Sequence, residues 1–332
     1  MTARSDRILR SHDRRPPMTT TPILLVCDHR GEGLREALLP LASVGFRLET
    51  CGTLGETRAA LERMTPDLVV IDPLARGGAL ELEQLREARE GSGIPILLIA
   101  APLDPLPTLA ATRDVTDTPC DVVRRDAPFE EFLLRIDRLR SEARRLEELE
   151  HMRFRAVHDD RTQLLRPTPF EDRLREHFSA AQRHRLELAL VLIDLDRFGM
   201  VNKDHDHTVG DAVIGEVGRV VRDFLRAEDV GGRLGGDEFG LILPYTQRID
   251  AARVVGRIRD QIAALSGPRG TGEVRVTASI GFETYDGTDM DSVEVLRRRA
   301  ELALRRAKER GGDQGLYYRS LAEASGAEET GT

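Results

Sequence analysis

Short apolar runs alternate with helix-like stretches through the first third of the chain. The runs have the length and β-branched composition of buried strands. Strands that alternate with helices indicate a doubly wound parallel sheet, so we predict an α/β domain over residues 21–128. Its predicted strands are residues 22–28, 47–51, 67–72, 94–100 and 121–124, and its predicted helices are residues 34–44 and 54–64.

The second half of the chain combines a hairpin with further helices and strands. Gly235 and Gly236 separate two β-favouring runs, which predicts a hairpin whose two turn glycines have positive φ. Because the other strands are joined by crossover helices, we predict an α+β domain over residues 158–319 with a mostly antiparallel sheet. Predicted helices are residues 169–184, 211–225, 249–265 and 293–310, predicted strands are residues 188–196, 274–282 and 316–318, and residues 198–211 are a predicted loop leading into a helix.

Residues 129–157 are predicted to form a helical connector between the two domains. Neither Gly nor Pro occurs from Phe129 to Met152, and Glu, Arg and Leu dominate the segment. One interpretation is a solvated spacer helix, and the other is a parallel dimer coil. The apolar residues spaced as a coiled-coil seam are Ile136, Leu139, Ala143 and Leu146.

Composition narrows the class of protein. The 332 residues carry a formal net charge of −8, which gives no general attraction to nucleic acid, and no apolar run is long enough to span a membrane. We therefore predict a cytoplasmic protein that binds neither nucleic acid nor a membrane. The cysteines Cys27, Cys51 and Cys120 fit neither a zinc site nor a disulfide framework. Residues 1–20 and 320–332 are predicted to be disordered tails, and Met18 is an alternative start.

The candidate chemistry lies at two strand ends. Asp194 ends a buried run, and Asp237 and Glu238 directly follow the glycine turn. A bare glycine turn lets phosphate oxygens approach backbone N–H groups, and carboxylates beside it can hold the divalent ion that nucleotides carry. Acids from two strands beside such a turn favour phosphoryl or nucleotidyl chemistry.

Several motifs in this order resemble the GGDEF family, the diguanylate cyclases that join two GTP molecules into cyclic di-GMP. The resemblance covers residues 155–318. The matching residues are His158-Asp159 with Thr162 and Leu164, Asp194-Leu195-Asp196-Arg197-Phe198, Asn202, His207, Gly210-Asp211, Gly235-Gly236-Asp237-Glu238-Phe239, and Ala307-Lys308.

The resemblance implies a role for each candidate residue. Asp194, Asp237 and the Leu195 carbonyl would bind Mg²⁺ or Mn²⁺, and Glu238 would act as an outer-sphere acid or as the general base. Asn202 and Asp211 would recognise the base. A carboxylate accepts from both the N1–H and the exocyclic amine of guanine, and adenine offers no such pair. The remaining substrate-binding candidates are Phe198, His207, Gly235, Gly236 and Lys308.

Other features modify this picture. The segment from Asp204 to His207 is a poor tetrahedral zinc site, because its alternating spacing falls in a loop. Four departures from the family pattern, none of which removes a metal ligand or a guanine reader, predict modest activity. They are Gly199, Lys203, Gly312 and the pair Arg166-Pro167.

Arg226 and Asp229 precede the hairpin in the register of the family's product-binding inhibitory motif. The alternative is an ordinary surface ion pair three residues apart. We favour the inhibitory site because of that register.

The first domain resembles the receiver of response regulators, in which an aspartate at the position of Asp72 accepts phosphate, often from a sensor kinase. Asp28 keeps one of the usual acids. Cys27 replaces the other, Ala100 stands where a hydroxyl residue is usual, and Arg124 or Arg125 stands where a lysine is usual. These changes favour a receiver-shaped dimerisation module over a phosphoacceptor domain.

The leading functional hypothesis is a homodimeric diguanylate cyclase, since the reaction needs two chains and thereby favours the dimer coil. The main alternative is a weak or silent domain that binds cyclic di-GMP as a signalling module. A synthase of mixed guanine–adenine dinucleotides and a pure phosphorelay switch are further alternatives, which Asp211 and the altered receiver respectively disfavour.

Overall fold

The computed structural model describes residues 21–28, 33–72, 93–102, 108, 118–205, 207–265 and 275–321. The chain divides into two compact units, residues 1–152 and 153–332, and each is described by itself. The predicted disordered tails lie outside the described residues, apart from residues 320 and 321. No helix within the described ranges is long and apolar enough to cross a membrane.

The first unit contains a five-stranded parallel sheet, as the alternating pattern predicts. Its strand order is β2-β1-β3-β4-β5, a doubly wound order in which β1 pairs with both β2 and β3. The strands are β1 (Ile23–Cys27), β2 (Arg47–Cys51), β3 (Leu68–Ile71), β4 (Ile96–Ala100) and β5 (Cys120–Arg124).

The described helices of the first unit differ from the prediction at one point. The helical segment predicted over residues 34–44 is confirmed, but it is divided into two helices because Pro40 begins a second one. Proline has no N–H to continue the preceding helix, and its fixed φ suits a first helical position. The helices are α1 (Leu34–Leu38), α2 (Pro40–Ser43), α3 (Leu54–Arg63) and α4 (Phe129–Val157), of which α4 confirms the predicted helical connector.

The proposed dimer seam on α4 is wrong for its first two residues. Ile136 and Leu139 are 0% and 2% exposed, and with Phe132 they belong to the core of the first unit. The same apolar spacing serves packing against a sheet as well as pairing with another helix, so the pattern alone did not separate the two. Leu146 and Leu149, farther along α4, are exposed.

The second unit contains a five-stranded sheet of order β10-β9-β6-β8-β7. Three neighbouring pairs are antiparallel and the β9–β10 pair is parallel, which confirms the mostly antiparallel prediction. The strands are β6 (Leu188–Leu195), β7 (Val230–Arg233), β8 (Glu238–Pro244), β9 (Ala278–Tyr285) and β10 (Gly315–Tyr317). The prediction placed the start of β9 at residue 274, which is outside the described ranges, and the strand begins at Ala278.

Five helices are described in the second unit besides the end of α4. The loop predicted over residues 198–211 is wrong, because residues 198–205 form a helix and the next helix begins at His207 rather than at residue 211. Phe198 is buried in the core with Val201 packed against it, so an apolar face stabilises this short helix despite Gly199. The helices are α5 (Pro167–His184), α6 (Phe198–His205), α7 (His207–Phe224), α8 (Arg248–Ala263) and α9 (Val293–Glu309).

Strand β6 separates two apolar layers of the second unit. Val191 and Ile193 lie in the layer formed with α7 and α8, whereas Leu190 and Leu192 lie in the layer formed with α5 and α9. Successive side chains of a strand point to opposite faces. Asp194 therefore follows the second set and faces the layer that contains α9.

The close packing of α9 on β9 gives a stability prediction. A Cβ at Gly281 would lie 2.1 Å from the Leu304 backbone nitrogen and 2.4 Å from the Ala300 oxygen. Because backbone cannot give way as a flexible side chain does, Gly281→Ala should lower the free energy of unfolding by about 3 kcal/mol, measured by chemical denaturation.

Gly256→Ala is the matched control. Gly256 lies inside α8, and a Cβ there would meet nothing within 4 Å. We expect this variant to match or exceed wild-type stability, by up to about 1 kcal/mol. Equal stability of the two variants would contradict the described packing of α9 on β9.

Candidate active site

The two candidate metal acids come together at one end of β6 and β8. Asp194 pairs with Glu238 in the antiparallel ladder, and the Leu195 N–H donates to the Asp237 carbonyl oxygen at 3.2 Å. The end of β6 and the residue before β8 are thus held side by side by backbone hydrogen bonds. Asp194 is thereby a neighbour of the two acids that follow the glycine turn.

The surroundings of the Asp194 carboxylate favour a bound cation. Asp194 is only 7% exposed, and its burial raises the pKa of its carboxyl group. A direct contact with Lys308 Nζ, 2.5 Å from Asp194 Oδ2, opposes that shift, whereas the charges of Asp237 and Glu238 add to it. The ammonium group of Lys308 is therefore the cation that the described protein provides to Asp194.

β7 and β8 form the predicted hairpin, but the backbone conformation of its turn differs from the prediction. Neither Gly235 nor Gly236 has a positive φ, so the prediction of a two-residue turn is wrong. The loop is longer, because β7 ends at Arg233 and the Leu234 N–H closes the loop by donating to the Glu238 oxygen at 2.8 Å. A loop of this length needs no mirror-image turn.

Arg233, which the sequence analysis did not identify, donates hydrogen bonds to the backbone of this turn. Arg233 Nε donates to the Gly235 oxygen at 3.2 Å, and Nη2 donates to the Gly236 oxygen at 2.7 Å. Nη1 contacts both carboxylate oxygens of Asp159 at 3.1 Å. The guanidinium thus ties both turn carbonyls to an acid 74 residues away, a distance in sequence at which no local pattern could reveal the pair.

Asp159 is in turn fixed by Thr162. The backbone N–H and the hydroxyl of Thr162 both donate to Asp159 Oδ1, at 2.9 and 2.8 Å. Burial by itself would raise the pKa of Asp159, but these hydrogen bonds and the Arg233 guanidinium together hold that pKa below its ordinary value of 3.8. The Asp159 carboxylate is therefore stabilised in its charged form.

Asp196, the second acid of the Asp-Leu-Asp motif, has a different environment. It accepts from the hydroxyls of Thr277 at 2.7 Å and Ser279 at 2.6 Å and from the Asp313 N–H at 2.8 Å. These bonds join the end of β6 to β9 and to the loop after α9. Gly312 has a φ of 81°, and a Cβ there would lie 2.8 Å from the Asp196 carboxylate, so this loop favours the glycine that the family pattern lacks.

The candidate base readers lie on α6 and α7. The Asn202 amide oxygen packs on Gly210, at 1.8 Å from where a Cβ would be. Asp211 Oδ2 accepts from Arg161 Nη2 at 2.7 Å. Phe198 is 7% exposed and belongs to the core, and the side chain of His207 lies outside the described set.

The available donors fit a hard divalent cation. Carboxylates of Asp194 and Asp237 with the Leu195 carbonyl form an all-oxygen set, which suits Mg²⁺ or Mn²⁺. Within the described residues, no three His, Cys, Asp or Glu side chains are gathered as a preformed metal cluster. The segment weighed as a zinc site includes Asp206, which lies outside the described residues.

Arg226 and Asp229 occupy the turn before β7. Asp229 is 8% exposed, its burial raises its pKa, and its Oδ2 accepts from the Arg226 backbone N–H at 2.9 Å. Arg226 itself is exposed. The Asp229 carboxylate thus contacts a backbone N–H. It does not form the side-chain ion pair that was the alternative to an inhibitory site.

In the first unit, the candidate phosphoacceptor is already paired. Arg125 Nη2 donates to Asp72 Oδ2 at 2.6 Å, and both side chains are largely buried. On the same sheet, Asp28 Oδ2 accepts from the Arg35 N–H at 3.3 Å. The guanidinium thus contacts one of the two carboxylate oxygens of Asp72.

An antiparallel sheet with acids beside a glycine turn defines a domain suited to a metal–nucleotide complex. Residues 156–314 match the family model described as "Diguanylate cyclase, GGDEF domain". This part of the chain is therefore similar to the GGDEF domain of diguanylate cyclases, which are nucleotidyltransferases.

Individual relatives agree with the family match. The chain is 33% identical over 176 residues to the bifunctional diguanylate cyclase/cyclic di-GMP phosphodiesterase MucR of Pseudomonas aeruginosa, covering 52% of this chain and 25% of MucR. It is 32% identical over 231 residues to the diguanylate cyclase TpbB of the same species, covering 63% of this chain and 50% of TpbB. The chain thus spans half or less of these relatives' length.

A solved structure shares the fold of this region. The coiled coil and GGDEF domain of DgcB from Caulobacter crescentus, in complex with c-di-GMP, is 26% identical with a TM-score of 0.50. The match covers 56% of this chain and 98% of that chain. The likeness to a receiver of the first unit remains a prediction.

The contact between Arg233 and Asp159 predicts how stability depends on pH. Arg233→Met leaves the half-buried Asp159 without its cation, and should lower the free energy of unfolding by about 2 kcal/mol at neutral pH. The stabilisation by this pair is present above pH 3.8 and is lost as the pH falls below it, because the folded-state pKa is depressed. The difference between variant and wild type, measured by urea denaturation, should therefore shrink at acid pH.

Arg253→Met is the control for this measurement, since Arg253 forms an exposed ion pair with Asp250. Exposed pairs contribute little, so its effect should stay within about 0.5 kcal/mol at every pH. An equal effect of both substitutions would contradict a stabilising role for the pair of Arg233 and Asp159.

The ion pair between Asp72 and Arg125 generates a prediction for the first unit. Incubation with acetyl phosphate and Mg²⁺ should leave Asp72 unmodified, because Arg125 occupies one carboxylate oxygen and the hydroxyl residue is replaced by Ala100. Peptide mass spectrometry after rapid acid quench is the measurement. A phosphoryl mass increment on the Asp72 peptide would overturn the prediction.

Proposed function

We propose that this protein is a diguanylate cyclase that condenses two GTP molecules into cyclic di-GMP and two pyrophosphates. The observation that carries the proposal is the convergence of Asp194 and Asp237 at one end of β6 and β8, beside the glycine turn. Two acids beside a glycine turn suit a metal-bound triphosphate. The family match of residues 156–314 supports the same reaction.

The acids Asp194 and Asp237 with the Leu195 carbonyl would hold Mg²⁺ or Mn²⁺. When bound, such an ion neutralises charge on the phosphates and favours ionisation of the attacking hydroxyl. The buried carboxylate of Asp194 supports this assignment, because it already requires a cation in the described protein, where Lys308 serves.

Lys308 would change partners when the nucleotide binds. Its ammonium lies on Asp194 and its side chain is 45% exposed, so it can turn from the acid towards the phosphates once another cation takes its place. Lysine suits this role as a compact charge on a flexible stem. Lys308 would then clamp the triphosphate while Gly235 and Gly236 allow close approach to their backbone.

Glu238 is the candidate for moving a proton. It is exposed at the start of β8, and a Cβ at Gly235 would lie 2.8 Å from its Oε2, so its carboxylate folds back over the turn. A carboxylate there is within reach of a 3′-hydroxyl presented from a facing nucleotide and can accept its proton. The alternative role is that of an outer-sphere acid for the metal.

Base selection would rest on Asp211 and Asn202. The Asp211 carboxylate can accept the N1–H and the amine of guanine, and the Asn202 amide can supply a donor and an acceptor. Adenine would leave these groups unpaired, which disfavours a mixed cyclic dinucleotide as the product.

The reaction requires two chains, because each site holds one GTP and the product joins two. We propose a homodimer in which the exposed part of α4 that contains Leu146 and Leu149 contributes to the contact. The first unit, with Asp72 paired to Arg125, would serve as an interaction module rather than as a phosphoacceptor for a sensor kinase.

Product inhibition would use Arg226 and Asp229. The guanidinium of Arg226 is exposed and suits a guanine edge or a phosphate, and Asp229 fixes the turn that presents it. The same two residues support the alternative function, a silent module that binds cyclic di-GMP without making it. The presence of Asp194, Asp237 and Glu238 at neighbouring strand ends favours the cyclase.

The proposed activity predicts the outcome of a turnover assay. The purified full chain with GTP and Mg²⁺ should form cyclic di-GMP, measured by chromatography and mass spectrometry, and Asp237→Ala should reduce the rate at least about 100-fold. Asp250→Ala, an exposed acid on α8, should retain the wild-type rate. Tight product binding without any turnover by wild type would support the silent module instead.

Arg226→Ala completes this assay. It should retain the initial rate and lose the inhibition that added cyclic di-GMP causes in wild type. Inhibition that persists unchanged in Arg226→Ala would remove the product site from these residues and leave the cyclase proposal intact.

A further inference from the structure

Arg161 contacts the candidate base reader Asp211. Its Nη2 donates to Asp211 Oδ2 at 2.7 Å, although the two residues are fifty positions apart. Within the described residues, no hydrogen bond to the other oxygen, Oδ1, accompanies this contact. Asp211 is thus held by one oxygen and presents the other.

The backbone that carries Arg161 is fixed against α7. Asp211, Gly215 and Gly218 recur at the four- and three-residue spacing that puts them on one face of the helix. The Arg161 carbonyl oxygen lies 3.7 Å from where a Cβ at Gly215 would be. A Cβ at Gly218 would lie 2.6 Å from Thr162 Cβ and 2.9 Å from its Cα, so only glycine lets this loop approach.

Two further contacts hold the same loop. Thr162 is fully buried and donates twice to Asp159, and an Arg222 side chain on α7 donates to the Thr162 carbonyl oxygen. The packing of this loop on α7, and not the ion pair alone, therefore sets the position of Arg161 near Asp211. Such fixed placement is what base recognition requires.

The chemistry of guanine gives this guanidinium a partner. A carboxylate oxygen has two lone pairs, so Oδ2 can accept from Arg161 and from a base N–H together. In guanine, the O6 acceptor is next to the N1–H that a carboxylate takes. When the N1–H donates to Oδ2, the guanidinium bonded to that oxygen lies beside O6, and arginine paired with guanine O6 is a common contact in nucleic-acid recognition.

Adenine meets the opposite arrangement. Its position 6 carries an amine, a donor that faces the donor groups of Arg161, and its N1 has no hydrogen for Asp211. In the orientation assigned to guanine, adenine would leave both residues unpaired, which is the condition for strong rejection.

We propose that Arg161 is a second guanine-specificity residue, which donates to O6 of the base held by Asp211 and orients that carboxylate. This inference rests on the proposed function, since it assigns a further contact to the same nucleotide site. Both side chains are about half exposed, so removing the pair should cost little stability and the variant should fold.

The test measures binding of GDP, 6-thio-GDP and ADP to the full chain by calorimetry. GDP keeps the base and has no pyrophosphate to release, and the sulfur of 6-thio-GDP is a much weaker acceptor than O6. Wild type should bind GDP about 10-fold more tightly than 6-thio-GDP, and Arg161→Met should bind GDP about 10-fold more weakly than wild type does. In Arg161→Met the preference for GDP over 6-thio-GDP should disappear, and Arg161→Lys should restore part of it.

Arg219→Met is the control, because Arg219 lies on α7 in exposed ion pairs with Glu216 and Asp223. It should retain all three affinities. Tighter GDP binding by Arg161→Met, or an unchanged preference for GDP over 6-thio-GDP, would overturn the role of Arg161 alone. Failure of wild type to prefer GDP to ADP would instead contradict the guanine site of the proposed function.

Discussion

The register between β6 and β8 is the constraint on which the candidate site depends. It pairs Asp194 with Glu238 and puts Leu195 in hydrogen-bond contact with Asp237. A shift of one residue would turn Asp194 towards the opposite apolar layer and bury its charge among α7 and α8. Because β6 is apolar on both faces, its hydrophobic pattern does not by itself oppose such a shift, and the hydrogen-bonded ladders with β8 and β9 hold the register.

Three of the candidate acids are each paired with a cationic side chain of the protein itself. Lys308 lies on Asp194, Arg161 on Asp211, and Arg125 on Asp72. A buried or partly buried carboxylate is costly without a partner, so the described protein supplies one. The pairs differ in exposure, because the Lys308 side chain is 45% exposed whereas that of Arg125 is 24% exposed.

Much of the fold could be predicted from the sequence. The short apolar runs located the strands to within a few residues, because burial on both faces of a sheet requires continuous apolar residues. The glycine turn with Asp237 and Glu238 located the candidate site, because glycines and adjacent acids are visible as local chemistry. Errors arose where one local pattern serves two structures, as for Ile136 in a core rather than a seam, and for the helix from Phe198 to His205.

Local periodicity and turn composition encode most of the strands and helices, the mixed α/β class and the residue types available for chemistry. The pairing of charges, in contrast, is a property of the folded chain. Arg233 and Asp159 are 74 residues apart, and Arg161 and Asp211 are fifty apart. No local pattern encodes such pairs, because an ion pair depends on distance in space, and that distance is set by the packing of sheet and helices around the whole core.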